Sequence, residues 1–246
     1  MPVWIPDIGE LDHKTIVEFP DPEIYAEDGL VAVGGNLSPG MLISAYIGGS
    51  FPWFNSDREN IIWWSPDPRC VFYPGSEHVS KRLLRETKKN TYVLVTDTDF
   101  SSVIENCARI ERVGQKGTWI TNRMLNSYKE MHKLGYAHSV ELYHNDRLIG
   151  GFYGLSIGSV FFGESMFSLV PHASKIAFLM SKKIWQMQGI SLIDCQVETP
   201  HLVSMGAVTI SRNRFLKELK VGVKSTFMPK KWDIRLIGNL LSSQEF

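Results

Sequence analysis

From Ala137 onward the chain changes from helical to strand-like periodicity. Residues 139–144, 147–156 and 160–167 are strand-like runs separated by the Asn145-Asp146 turn and a turn at Gly158, which together predict an antiparallel meander. Val170-Pro171 breaks it. Residues 173–187 then place Ile176, Leu179, Met180, Ile184 and Met187 on one helical face, Gly189 ends that helix, and residues 191–197 return to strand. A helix, a meander, a crossing helix and a further strand predict a mixed α+β fold with a mostly antiparallel sheet.

Two polar signatures interrupt these apolar strands. Gly163-Glu164-Ser165-Met166-Phe167-Ser168 ends one, and Asp194-Cys195-Gln196 sits inside another. A buried carboxylate or amide costs several kcal/mol unless it has partners. Each signature is therefore either a satisfied structural hydrogen bond or part of a site. Strand alternation puts Leu192, Asp194 and Gln196 on one face and Ile193, Cys195 and Val197 on the other.

The remaining chain divides near residues 65–70. Before that point Pro and Gly are frequent and helical periodicity is weak, which suggests a small N-terminal domain (1–68) followed by a larger one (69–246). Within the first, residues 28–35 read as turn, strand, turn. Ser38 and Pro39 open a helix that Gly48-Gly49 ends, an aromatic loop Phe51-Pro52-Trp53-Phe54 follows, and residues 61–64 form a short strand. In the second, residues 80–89 predict a helix, residues 92–96 a strand, and residues 99–108 a helix capped by Asp97 or Asp99. A Gly-flanked loop over 113–120 leads to a Thr121-capped helix ended by Gly135. Residues 200–205 and a Ser211-capped segment to Leu219 close the helical pattern. No internal repeat is visible.

Overall charge is +0, so any nucleic-acid signal must lie in its distribution. The helix at 80–89 supplies one: Lys81, Arg85, Lys88 and Lys89 fall on one side, with Arg82 beside them. Such a face is either solvated or a docking face for phosphate backbone. Three widely spaced cysteines form neither a disulfide framework nor a zinc signature, which points to a reducing cytoplasm. No apolar run reaches the ~18 residues of a membrane span, and the N-terminus does not read as a secretory signal.

The element order resembles the acyltransferase core of the N-acetyltransferase (GNAT) superfamily. Enzymes of that type bind coenzyme A pyrophosphate on a Gly-rich loop after the central strand. Here the corresponding link, residues 168–175, has no glycine, and Pro171 removes one donor. An acyl donor other than coenzyme A is favoured over a coenzyme A-dependent N-acetyltransferase.

Seven motifs in order carry a closer resemblance: Asp28-Gly29-Leu30 with residues 34–39, Phe51-Pro52-Trp53-Phe54, Trp63-Trp64-Ser65-Pro66-Asp67-Pro68-Arg69, Gly117-Thr118-Trp119-Ile120-Thr121, residues 135–141, residues 163–168, and Asp194-Cys195-Gln196. Over about residues 28–217 the chain resembles the bacterial leucyl/phenylalanyl-tRNA–protein transferases. It departs from their pattern at His172, often Asn in the family, and after Gln196.

The resemblance implies transfer of Leu or Phe from aminoacyl-tRNA to the N-terminal amine of proteins beginning with Arg or Lys, and an apolar donor pocket would accept Met as well. The product enters N-end rule degradation. The enzyme implied is cytoplasmic, as a rule monomeric, free of membrane, and without metal or organic cofactor. A non-catalytic binder of tRNA or of such N-termini is the rival outside enzymology.

The donor ester is already activated, so no covalent nucleophile is needed. Cys195 is expected to face away from its neighbours and only to pack. Gln196 is expected to accept a hydrogen bond from the attacking amine, Asp194 to orient it, and Glu164 to hold the amine or the acceptor side chain. Trp53, Trp119, Phe152, Phe161, Phe178 and Ile193 are candidates for the pocket that takes the donor side chain. Lys81, Arg82, Arg85, Lys88 and Lys89 are candidates for binding tRNA phosphates.

Overall fold

The computed structural model describes residues 1–110, 119–225 and 229–239. In chain order these form β1 (Val3–Ile5), α1 (Pro22–Tyr25), β2 (Leu30–Gly34), α2 (Pro39–Ile47), β3 (Phe51–Pro52), β4 (Ile62–Trp64) and β5 (Arg69–Phe72). There follow α3 (Lys81–Thr87), β6 (Tyr92–Thr96), α4 (Phe100–Arg109), α5 (Asn122–Lys133), β7 (Ala137–His144), β8 (Arg147–Ile157) and β9 (Val160–Ser168). The chain continues as α6 (Ala173–Met180), α7 (Lys182–Met187), β10 (Leu192–Gln196), α8 (Pro200–Val203), β11 (Val208–Ile210), α9 (Arg212–Gly222) and β12 (Arg235–Gly238). The fold is mixed α+β.

A small sheet in the order β1-β2-β4-β3 is built from the first 64 residues. A large sheet runs β11-β5-β10-β9-β8-β7-β6-β12. Its neighbours are antiparallel except β9 and β10, which run parallel from Leu192↔Val160 to Asp194↔Phe162. Beyond that last pair β9 continues to Ser168, whereas β10 ends at Gln196. The sheet therefore has a gap between two parallel strands, and the candidate site lies there.

Strand alternation sorts the core onto the two faces of the large sheet. Phe152, Phe161 and Ile193 pack with α6, α7 and Trp232. Tyr153, Phe162 and Leu192 pack with α4, α5 and buried side chains of the N-terminal segment, among them Tyr46 of α2 and Trp63 of β4. Gly154 is required at the β8–β9 bulge, because a Cβ there would lie 2.2 Å from the Phe162 carbonyl and 2.7 Å from the Phe161 ring.

Several sequence expectations are adjusted. The single helix expected over 173–187 is two, because the Ser181 hydroxyl donates to the Ala177 carbonyl at 2.8 Å and the backbone turns there. The aromatic loop begins as strand β3, paired with β4. Strands β1, β5, β11 and β12 had no counterpart in the sequence pattern. The expected loop at 113–120 lies, through residue 118, outside the described residues. No helix among the described residues is long and apolar enough to cross a membrane.

Candidate active site

The gap between β9 and β10 opens into a cavity of about 500 Å³. All six aromatic and aliphatic candidates, Trp53, Trp119, Phe152, Phe161, Phe178 and Ile193, line it, and so do Glu164 and Gln196. The wall is stiff. Phe161 packs against Trp185 at 4.9 Å and Trp232 at 5.9 Å between ring centroids, and Phe178 meets Phe152 at 5.9 Å. Trp53 is 39% exposed at the cavity, so one aromatic also faces solvent.

Glu164 is the polar centre. Its Oε1 accepts from the Tyr46 hydroxyl at 2.6 Å and from Gln196 Nε2 at 3.0 Å, and its Oε2 accepts from the Tyr128 hydroxyl at 3.0 Å. The two tyrosine hydroxyls also hydrogen-bond to each other. Burial, the largest cause, pushes the Glu164 carboxyl up to about 7, against the downward pull of the Tyr46, Tyr128 and Gln196 hydrogen bonds. Burial and then the Glu164 charge push both phenols well above their usual range, so both stay protonated.

Asp194 occupies a different position from the one strand alternation suggests for a substrate-facing group. It is fully buried, absent from the cavity wall, and held by Arg69 through Nε at 2.8 Å and Nη2 at 2.7 Å. Its Oδ1 also accepts the backbone N–H of Gln196 at 2.9 Å. Asp194 therefore reaches the cavity through the Gln196 backbone it holds and through its charge, which adds to the upward push on Glu164.

Gln196 departs from simple alternation. The ladder against β5 shifts register between Asp194 and Gln196, and Gln196 adopts φ 62°. The left-handed backbone lets both Cys195 and Gln196 reach the cavity, so Cys195 faces away from Asp194 but not from Gln196. Its thiol is pushed well above the usual range, first by hydrogen bonding with Cys70 and then by burial. A thiolate nucleophile is thereby disfavoured. Gln196 uses its amide N–H on Glu164, which leaves its side-chain oxygen as an acceptor.

Comparison with known proteins bears on what such a site serves. A family model described as leucyl/phenylalanyl-tRNA protein transferase matches residues 71–220, and one described as the N-terminal domain of that transferase matches residues 35–67. A leucyl/phenylalanyl-tRNA–protein transferase of Anaeromyxobacter dehalogenans (strain 2CP-C) is 45% identical over 220 residues, 89% of this chain and 94% of its own. That of Hydrogenovibrio crunogenus is 46% identical over 227 residues, 92% of this chain and 88% of its own. That of Thermodesulfovibrio yellowstonii is 45% identical over 221 residues, 90% of this chain and 89% of its own.

The chain belongs to the leucyl/phenylalanyl-tRNA protein transferase family. This is a family of aminoacyltransferases. The hydrogen-bond network joins both segments that match it: Tyr46 comes from the first, and Tyr128, Glu164 and Gln196 come from the second.

Three participants were not visible in the sequence pattern. Arg69 ends a motif but follows Pro68 and opens a strand too short to show a period. Tyr46 and Tyr128 sit on helices among apolar neighbours, where a tyrosine reads as core. Only the presence of a hydroxyl that needs a partner when buried pointed to them.

The basic helix is present as α3, capped by Ser80, with Leu83 and Thr87 turned inward, but it is shorter than expected: it ends at Thr87, so Lys88 closes it and Lys89 lies past it. Lys81, Arg82, Arg85, Lys88 and Lys89 are all exposed. Arg82 pairs with Glu86 at 2.7 Å, and Glu86 lies 3.7 Å from His172 at the start of α6. Because Phe178 of α6 lines the cavity, α3 and the cavity share one neighbouring helix.

Proposed function

We propose that this chain transfers Leu or Phe, and also Met, from aminoacyl-tRNA to the N-terminal α-amine of proteins beginning with Arg or Lys. The product would be marked for N-end rule degradation in the cytoplasm. One observation carries this reading: a largely apolar cavity of about 500 Å³, roomy enough for a Leu or Phe side chain together with the groups it is attached to, meets a carboxyl and an accepting amide oxygen on its wall. The apolar part suits the donor side chain. Such a pocket separates neighbouring sizes by only ~1–3 kcal/mol per methylene, which fits a preference spread over Leu, Phe and Met.

The polar part suits the acceptor amine. Gln196 accepts a hydrogen bond from the amine through its side-chain oxygen, and Glu164 faces the same space. Asp194, neutralised by Arg69, fixes the backbone of Gln196 and is a positioning residue. The aminoacyl ester is an activated acyl group, so correct juxtaposition of amine and carbonyl supplies much of the rate. The exposed cations of α3 support a role in binding tRNA phosphates.

The gap between parallel strands in a mostly antiparallel sheet supports a GNAT-like assignment for residues 69–246. In this reading residues 1–68 are a small N-terminal domain and the enzyme acts as a monomer. No organic cofactor or metal is assigned a role in this reading.

The test is transfer of radiolabelled Phe from Phe-tRNA to an Arg-starting protein by the wild type and by the Asp194→Ala and Gln196→Ala variants. Turnover should fall far more than tRNA affinity in both. Wild-type turnover in both variants would sink the assignment.

A further inference from the structure

The oxygen atoms of Glu164, Tyr46 and Tyr128 form a closed ring. Tyr46 meets Oε1, Tyr128 meets Oε2, and the two hydroxyls meet each other. Three oxygen–oxygen pairs need three protons, and each phenol supplies one. With Glu164 ionised, one pair sets lone pair against lone pair. With Glu164 neutral, every pair holds a proton and all point one way round. Tyr46 donates to Oε1, the acid O–H on Oε2 donates to Tyr128, and Tyr128 donates to Tyr46. The direction is fixed by Gln196, whose Nε2 also donates to Oε1 and so marks it as the carbonyl oxygen. The ring is thus a receptacle for one proton, and its Glu164 member lies on the cavity wall.

We propose that Glu164 is the proton acceptor of the transfer, and that Tyr46 and Tyr128 close into a hydrogen-bonded ring around the acid it becomes. The inference rests on the aminoacyl-transfer reading above. The acceptor enters as an α-ammonium. Glu164 carboxylate takes one of its protons, and the freed nitrogen lone pair attacks the ester carbonyl carbon. As the bond from that carbon to the ribose oxygen breaks, a second nitrogen proton passes to the departing oxygen, and the third remains on the new amide. Glu164 then releases its proton to water through the open cavity. The net products are the amide, the free ribose hydroxyl and one proton.

Other groups on the wall are less suited. Asp194 is off the wall and held by Arg69, and a neutral amide such as Gln196 is not a base. The Cys195 thiol, its pKa raised, keeps its proton at neutral pH. Among the described residues of the wall, His201 is the rival base. The groups facing Glu164 are Tyr46 from α2, Tyr128 from α5, and Gln196 from β10, with the Asp194–Arg69 pair behind it.

The experiment is single-turnover amide formation from Phe-tRNA to an Arg-starting peptide, followed from pH 6 to 9. Loss of a general base costs about 10²–10⁴-fold. Glu164→Gln should therefore fall about 100-fold or more below wild type at pH 7. The gap should close to about tenfold once the medium passes the amine's own pKa of ~8. Tyr46→Phe and Tyr128→Phe each open the ring, which takes two hydrogen bonds from the acid and only one from the carboxylate, and should move the acid limb of the profile to lower pH. They carry the test on their own if Glu164→Gln fails to fold. His201→Gln should keep the shape of the wild-type profile. A Glu164→Gln profile parallel to wild type at every pH, an acid limb unmoved or moved to higher pH in both phenylalanine variants, or a limb lost in His201→Gln would each overturn the proposal. Absence of amide from the wild type at every pH would instead refute the underlying transfer reading.

Discussion

Arg69→Met is the substitution that most sharply separates structure from chemistry. Arg69 and Asp194 are both 0% exposed, and the guanidinium binds the carboxylate through two nitrogens. Arg69 also donates to the Gly49 carbonyl at 3.2 Å and lies over the Phe51 and Phe215 rings at 4.9 and 4.4 Å. Methionine keeps much of the packing volume but leaves Asp194 charged and buried, with the Gln196 N–H as its remaining donor. Breaking a buried pair from one side costs about 3–5 kcal/mol. For a chain of this size that corresponds to roughly 6–20 °C in Tm. Replacing both partners by apolar residues removes the stranded charge, so Arg69→Met/Asp194→Leu should regain most of the stability. The double variant should nevertheless transfer poorly, because the Gln196 N–H is left without its acceptor. Urea unfolding followed by tryptophan fluorescence, with transfer measured on the same samples, gives both numbers. A single-variant cost below about 1 kcal/mol, or a double variant no more stable than the single, would refute this account of the pair.

Two further outcomes are expected. Raising salt should weaken aminoacyl-tRNA binding, and charge reversal at Arg85 and Lys88 should lower the salt slope by about one for each phosphate that is no longer neutralised; binding unmoved by either would return α3 to an ordinary solvated face. Burial holds the Glu141 carboxyl, like that of Glu164, at about 7, so between the ordinary carboxylate range and pH 7 the folded chain binds more protons than the unfolded one. Unfolding free energy should then fall as pH rises through that window and level off above it, by about 3 kcal/mol per group. Buried His138, held low chiefly by desolvation, opposes this trend on the acid side. Glu141→Gln should flatten the slope between pH 5 and 7.5 in urea titrations, and an unchanged slope would contradict the assignment.

The parts of the fold that were legible in the sequence have a local cause. The β7–β9 meander shows strand periodicity and short turns, and the caps at Ser80, Asp99, Thr121 and Ser211 each accept a backbone N–H as their residue types suggest. The cavity residues were legible because they are large apolar side chains on or beside those strands. Long-range partnerships were not. Arg69 and Asp194 are 125 positions apart, and Tyr46 and Glu164 are 118 apart, so no spacing rule connects them. The sense of Gln196 was hidden for a different reason: one residue at positive φ breaks the alternation from which its direction is read. Trp232, in a tail with little resemblance to the family, supports Phe161 from behind only because the Asp97 carboxylate accepts its backbone N–H at 2.7 Å and His138 stacks on its ring at 4.0 Å.

One reaction tests aminoacyl transfer most directly. Purified wild-type chain, Phe-tRNA labelled in the amino acid, and peptides that differ only at the first residue would be mixed at neutral pH, and acid-stable label on the peptide counted. The account predicts an amide-linked Phe on the α-amine of peptides beginning with Arg or Lys, and none on the same peptides acetylated at that amine. Label released only as free Phe, or transferred equally to the acetylated peptides, would contradict it.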